Sequence, residues 1–171
     1  MKRDNVAYVR RELTRLIQAE VRRLRGLNKE RDEDGTRRWL ERTAIFVAES
    51  EVRLNFLTDL SGTLHDHGRT LPEIIQILTS RKAQITDLIR VERLWKVEGT
   101  PGNQLVRQAS MSAYMDLLDW STGPLGRLWR IAVNLYEGRK PDEGRVRPGT
   151  GTLTVADLPP VPVTGAKVRG L

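Results

Sequence analysis

Two histidines with two nearby carboxylates are the residues in this sequence best suited to binding a metal ion. His65 and His67 alternate in the segment 61–69, with Asp66 between them and Asp59 shortly before. Zinc accepts imidazole nitrogen and carboxylate oxygen, but its protein sites use three or four ligands at defined spacing. The spacing of the remaining residues in this segment indicates no further metal ligand. The favoured interpretation is a solvated loop, and no metal or other cofactor is predicted.

A second pair with chemical potential is Asp116 and Asp119, which are three residues apart on a predicted helix. Paired carboxylates catalyse acid–base reactions only where their surroundings separate their pKa values, and an exposed pair is the favoured interpretation here. The chain has no cysteine, and it lacks the motifs of phosphate-binding loops, zinc proteases and serine hydrolases. We therefore predict a protein that is not an enzyme.

The positive charge is concentrated at the two ends of the sequence. The chain carries 29 Lys and Arg against 22 Asp and Glu, a net charge of +7. Residues 1–38 hold twelve basic and seven acidic residues, residues 39–138 hold eleven and twelve, and residues 139–171 hold six and three. Basic ends around a nearly neutral middle are typical of segments that touch nucleic acid, an acidic protein surface or only solvent.

The first basic segment is predicted to be an amphipathic helix over residues 4–25, ending at Gly26, because apolar residues recur every three or four positions. Arginines cover much of the remainder, among them Arg11, Arg15 and Arg22. This pattern is found in helices that contact phosphate, a partner protein or a membrane surface, and in solvated helices whose arginine stems cover apolar neighbours. No Trp or Phe lies in the stretch to anchor it, so we predict no membrane partner.

The central stretch 70–96 predicts two short helices. Thr70 and Glu73 form a capping box at its start. Thr79 and Ser80 are expected to break the helix, after which the apolar period resumes. Two helices with a tight joint and basic residues on the second have the outline of a helix-turn-helix. The residues that would contact DNA are Arg81, Lys82, Gln84, Arg90 and Arg93.

The segment TLPEIIQILTSRKAQITDLI resembles the helix-turn-helix of sigma-factor-like and related regulators, whose pattern is roughly S/T-x-x-E-I-A-x-x-L-G-x-S-x-x-T-V-x-x-x-L. The matching positions are Thr70, Glu73, Ile74, Leu78, Ile85 and Ile89. Three positions depart from the pattern. Ile75 replaces the small residue between the helices, Thr79 replaces the turn glycine, and Arg81 replaces the capping serine. The resemblance implies DNA binding, whereas a plain helical hairpin has the same apolar spacing and is the favoured interpretation.

Further helices are predicted over 36–60, 103–119 and 124–137, which gives an all-α domain of five or six helices in residues 1–137. The apolar positions of the four tryptophans predict core packing. Residues 138–171 differ in character, because eleven of the 34 are Gly or Pro and apolar periodicity is lost. We predict an extended arm there that binds a partner. Its contact residues would be Leu153, Val155, Leu158, Pro159, Pro160, Val161 and Val163.

These features favour a non-enzymatic structural subunit of a homo- or hetero-oligomeric assembly, built from protein subunits. A helical body with an irregular arm and basic ends is similar to small connector or adaptor proteins of tailed-phage particles. The alternative is a DNA-binding protein, either a transcriptional regulator or a packaging factor like a phage small terminase. In that case the arginines of the first helix would add phosphate contacts. Neither a signal peptide nor a membrane span is predicted, so the expected location is the cytoplasm or a virus-like particle.

Overall fold

The computed structural model describes residues 2–34, 36–66, 68–94, 101–119 and 121–142. These residues contain five helices and no strand, which confirms the all-α prediction. The helices are α1 (Lys2–Asp34), α2 (Thr36–Leu64), α3 (Leu71–Leu94), α4 (Pro101–Leu118) and α5 (Pro124–Tyr136). The predicted arm lies outside the described residues from position 143 onward.

The first two helices form a long antiparallel hairpin. Near one end of the pair, the Arg10 side chain donates from Nε to the Leu64 carbonyl oxygen at 2.8 Å. At the other end, the Trp39 indole donates to the Leu27 carbonyl oxygen at 2.6 Å. The prediction that α1 ends at Gly26 is wrong, because the helix continues to Asp34. A mid-helix glycine costs only about 1 kcal/mol relative to alanine, and packing along α2 on both sides of it outweighs that cost.

All five helices contribute to one hydrophobic core. In it α1 packs on α2 and α5, α4 packs on α2, and α3 packs on α4 and α5. Tryptophan packing is confirmed for Trp39 and Trp129, which are buried, while Trp95 and Trp120 lie outside the described residues. Fully buried side chains from each helix include Leu13, Leu57, Leu60, Ile74, Leu78, Leu117, Leu125 and Leu128.

The central stretch is one helix, so the plain helical hairpin that was favoured and the helix-turn-helix alternative are both wrong. α3 runs without interruption from Leu71 to Leu94. The Thr79 hydroxyl donates to the Ile75 carbonyl oxygen at 2.8 Å, a bond one turn back that a helix accommodates. The capping box is present in part. The Glu73 carboxylate accepts from the Thr70 backbone N–H at 2.7 Å, and it also accepts from the Thr70 hydroxyl at 2.9 Å.

A tight turn joins α4 to α5. The Asp119 carboxylate accepts hydrogen bonds from the backbone N–H groups of Ser121 and Thr122 at 3.0 and 3.4 Å, and also from both hydroxyls. Gly123 follows, and its N–H donates to the Asp119 carbonyl oxygen at 2.7 Å. A Cβ on Gly123 would overlap the carbonyl oxygens of Asp116 and Asp119, so only glycine fits this close approach.

Candidate interaction site

The basic residues predicted to contact DNA do not share one surface of α3. Arg81 and Arg90 are nine residues apart in an unbroken helix, which places them about 180° apart around its axis. Lys82 is half-buried on a third side. The side chain of Arg93 lies outside the described residues. Because α3 is one continuous helix, no turn brings these residues together on one surface as the helix-turn-helix prediction required.

The Arg81 side chain is instead fixed against α2. Its guanidinium lies 2.6 Å from a carboxylate oxygen of Asp59 and 3.3 Å from the Thr63 hydroxyl. A third bond, of 3.1 Å, reaches the side-chain oxygen of Gln84 one turn along α3.

The pKa of Glu73 at the start of the same helix is lowered, chiefly by the hydrogen bond from the Thr70 backbone N–H.

Beside this guanidinium lies an open hollow of about 270 Å³ between α2 and α3. Its walls are mixed, since Ile77 contributes an apolar side chain while Ser80, Arg81 and Gln84 contribute polar ones. The bonds to α2 hold Arg81 at the edge of the hollow with its geometry already set. A ligand that offers hydrogen-bond acceptors could therefore bind there with little reordering of that side chain.

The hollow continues into an exposed apolar strip on the same side of α3. Leu88 is 46% exposed and Val91 is 50% exposed. At about 100° per residue, five side chains fall within an arc of about 80° around the helix. We name this set the α3 face, and its members are Ile77, Arg81, Gln84, Leu88 and Val91.

Two other apolar residues are uncovered although they lie on core-facing sides of their helices. Phe46 shares a side of α2 with buried Leu57, eleven residues away, yet it is 44% exposed. The same holds for Val106 on α4, which shares a side with buried Leu117 and is 58% exposed. The apolar spacing of α2 in the sequence predicts that Phe46 faces the core, and its exposure corrects that prediction. On α4 the core does not reach the first turns, whereas on α2 Phe46 is exposed between buried Thr43 and Glu49.

The strongest polar cluster inside the molecule surrounds Arg53, which the sequence reasoning missed. Its side chain is only 3% exposed and lies 3.2 Å from a Glu20 carboxylate oxygen, 2.8 Å from Asp116 and 4.0 Å from Glu49. It also donates to the Ser50 hydroxyl at 3.2 Å. The sequence did contain an indication of a buried charge cluster, because Arg53 occupies a position on the core-facing side of α2. Its partners were not predictable, because α1 and α4 supply two of them.

A second ion pair joins α1 to α5. The Arg127 guanidinium approaches a carboxylate oxygen of buried Glu12 to 2.7 Å, at an angle that is not aligned for a hydrogen bond. Arg15 lies 3.8 Å from the same carboxylate and is itself largely exposed. Together with the Arg53 cluster, this pair connects four of the five helices through charged side chains. Both clusters therefore fix the positions of helices rather than forming an open site.

The histidine and aspartate pairs have structural partners. The His65 ring lies 2.8 Å from the Ser61 carbonyl oxygen through Nδ1, while His67 lies outside the described residues. Asp66 pairs with Arg69 at 3.2 Å. Within the described ranges, no group of three or more His, Cys, Asp or Glu side chains is arranged to hold a metal ion. Asp116 and Asp119 bind different partners, as given above, and do not form an acid–base pair.

The side chains of Arg11, Arg15 and Arg22 are exposed on α1, on the side away from the core. The predicted contact residues of the arm, from Leu153 to Val163, lie outside the described residues. No described helix is both long and apolar enough to cross a membrane.

This chain matches no protein-family model, no curated protein and no solved structure.

Proposed function

We propose that this protein is a non-enzymatic subunit of an assembly, in which the arm of one copy binds the α3 face of a neighbouring copy. The observation that carries the proposal is the α3 face itself. It combines a hollow, a pre-positioned Arg81 guanidinium and two uncovered aliphatic side chains. A single chain gains nothing in stability from leaving Leu88 and Val91 in water, whereas an interface would bury them.

The arm has a length and composition that suit this face. The residues 158–163, LPPVPV, favour the polyproline conformation, which rises about 3.1 Å per residue. Six residues in that conformation would extend about 19 Å. From Ile77 to Val91 the α3 face extends about 21 Å, at 1.5 Å per residue. The two lengths agree, so the leucine and valines of the arm could lie along the aliphatic strip.

Arg81 and Gln84 would supply the polar contacts of this interface. A polyproline segment makes no internal hydrogen bonds, and its carbonyl oxygens remain available as acceptors. The Arg81 guanidinium and the Gln84 side-chain amide can donate to them from the edge of the hollow. Aliphatic contact would then provide affinity, and these donors would set the register of the arm on the helix.

The uncovered Phe46 and Val106 also support a subunit role. They lie on core-facing sides of α2 and α4, and yet they are 44% and 58% exposed, so contact with a neighbouring copy could bury them. Among the described residues, every residue of the core cluster lies between Val9 and Ala132. We therefore expect a chain ending at Asp142 to fold, and in this proposal the arm binds another copy.

The experiment that tests the proposal is sedimentation velocity over a broad concentration range. It compares the full chain, residues 1–142 alone, and the full chain with Leu88→Asp and Val91→Asp. We expect the full chain to self-associate and the other two to sediment as monomers. The matched control carries Met115→Asp and Tyr136→Asp, which add the same charge at exposed apolar positions outside the α3 face and should leave association intact.

Two results would count against the proposal. One is a full chain that remains monomeric at every concentration, which would mean that the arm binds its own core or nothing at all. The other is a Leu88→Asp and Val91→Asp variant that associates as strongly as the unmodified chain, which would place the interface elsewhere.

A further inference from the structure

A row of basic side chains runs along the solvent side of α1. Its members are spaced alternately by four and three residues, the spacing of neighbours on one side of a helix. Each of them is exposed. We name this set the α1 stripe, and it consists of Arg11, Arg15, Gln18, Arg22 and Arg25.

The α1 stripe is narrow and contains no acid. At about 100° per residue its five side chains fall within an arc of about 80°, opposite the side of α1 that holds buried Val9 and Leu13. No Asp or Glu between residues 5 and 30 falls in that arc. From Arg11 to Arg25 the stripe is about 21 Å long at 1.5 Å per residue. Four positive charges therefore line one straight edge of the molecule.

The helix that carries the stripe is fixed along its length. Arg10 donates to the carbonyl oxygens of Leu64 and Asp66 at 2.8 and 3.0 Å, which ties the start of α1 to the end of α2. Farther along, Glu20 pairs with the buried Arg53. These contacts use Arg10 and Glu20 on the inner sides of α1 and hold the helix that carries the outer row.

The arginines of the stripe make few contacts with the protein. Among the described residues, no carboxylate lies within 4.0 Å of a nitrogen of Arg22 or Arg25. Arg15 has only the 3.8 Å approach to Glu12. The Arg11 guanidinium stands 5.7 Å from the centre of the Tyr8 ring, a contact that leaves its N–H groups free to bind an anion.

We propose that the α1 stripe binds the phosphate backbone of duplex nucleic acid without sequence preference. The row places four positive charges along about 21 Å of a rigid helix. Over that length each strand of a duplex carries about six phosphates, at one per about 3.4 Å. Backbone contacts fix a protein on the duplex but carry no direct sequence information. This activity goes beyond the assembly role and does not require the arm or the α3 face.

Other anionic partners fit the stripe less well. Single-stranded nucleic acid is usually bound with stacking aromatic side chains, and the one aromatic residue near the stripe, Tyr8, is half-buried under Arg11. A membrane-surface helix inserts its apolar side into lipid, whereas the apolar side of α1 is occupied by the core. An acidic protein surface lacks the even spacing of a phosphate backbone.

The test measures binding of a fluorescein-labelled duplex to the full chain by anisotropy across a salt series. With up to four phosphate contacts, log K should fall with log salt at a slope of about −3 to −4. Arg22→Gln with Arg25→Gln should reduce the magnitude of that slope by about 2, and should weaken binding at low salt by about tenfold per arginine. Gln18→Lys should strengthen binding, and Gln18→Glu should weaken it.

The matched control is Arg23→Gln with Arg90→Gln, which removes the same charge from exposed positions outside the stripe. It should leave the slope unchanged. The proposal is overturned if this control weakens binding as much as the stripe variant, because net charge alone would then explain the result. It is also overturned if polyglutamate, single-stranded DNA or phosphatidylserine vesicles bind more tightly than the duplex at the same salt. Truncation after Asp142 should leave duplex binding intact, which separates this test from that of the arm.

Discussion

At the scale of single residues, Arg53 is a buried charge held by three carboxylates. Its charged side chain is 3% exposed and is surrounded by Glu20, Glu49 and Asp116. Moving a charge from water into a protein interior costs several kcal/mol, and only closely placed partners offset that cost. The cluster therefore specifies how α1, α2 and α4 fit together, because a displaced helix would leave a buried charge without its partner.

Arg53→Ala should destabilise the protein strongly. It would leave the Glu20 and Glu49 carboxylates close together in a buried site without a cation, and removing one partner of a buried ion pair typically costs about 3–5 kcal/mol. Urea unfolding would measure the loss. Arg23→Ala on the exposed side of α1 is the matched control and should change stability by no more than about 0.5 kcal/mol. A similarly small effect of Arg53→Ala would contradict the view that this cluster holds the helices together.

At the scale of elements, the sequence predicted where helices form better than whether a helix is interrupted. The apolar period of α3 is visible on both sides of Thr79, and the two hydroxyl residues there were interpreted as a turn. Hydroxyl side chains favour turns because they compete for backbone hydrogen bonds. In α3 the Thr79 hydroxyl bonds back to Ile75 within the helix. Tertiary packing of Ile74, Leu78 and Ile85 on one side keeps the two halves in line.

The turn between α4 and α5 gives an element-scale prediction about pH. Hydrogen bonds from the side chains and backbone of Ser121 and Thr122 lower the pKa of Asp119 from its usual 3.8 to about 2. A carboxyl group whose pKa is lower in the folded state stabilises the protein above its unfolded pKa. That contribution is lost as pH falls from about 4 to about 2. Asp119→Asn should therefore lower stability at pH 6 and make less difference near pH 2.

Urea unfolding of both proteins between pH 6 and pH 2 would check this expectation. Asp142→Asn, which changes an exposed carboxylate beyond α5, serves as the control and should show no such convergence. Parallel pH profiles for the unmodified protein and Asp119→Asn would mean that the carboxylate is not held in the turn as the structure indicates.

At the scale of the whole molecule, the all-α class and the approximate positions of four helices were predictable from apolar periodicity. The way in which the helices meet was not. Arg53 pairs with Asp116, which is 63 positions away in the sequence, and Arg81 pairs with Asp59, which is 22 positions away. No local pattern specifies such pairs. The predicted DNA contacts at Arg81 and Gln84 depended on a turn at Thr79, and the structure has a continuous helix there.

The fold determines on which helix surfaces the basic residues of the sequence lie. Four arginines of the basic N-terminal segment form one row on α1, while Arg81 and Arg90 of α3 lie on opposite sides of a single helix. We therefore propose nucleic-acid contact for α1 and partner contact for α3. The two proposed roles use different surfaces, so substitutions can test them separately.

The measurement that tests the central claim most directly is the binding of a labelled peptide of residues 151–166 to the separate core, residues 1–142. The peptide should bind the core, and Leu88→Asp with Val91→Asp should weaken that binding by about tenfold per residue through the loss of aliphatic burial. Met115→Asp with Tyr136→Asp should leave it unchanged. A folded core that does not bind the peptide, or that binds it equally well with both pairs of substitutions, would contradict the assignment of the α3 face as the docking site of the arm.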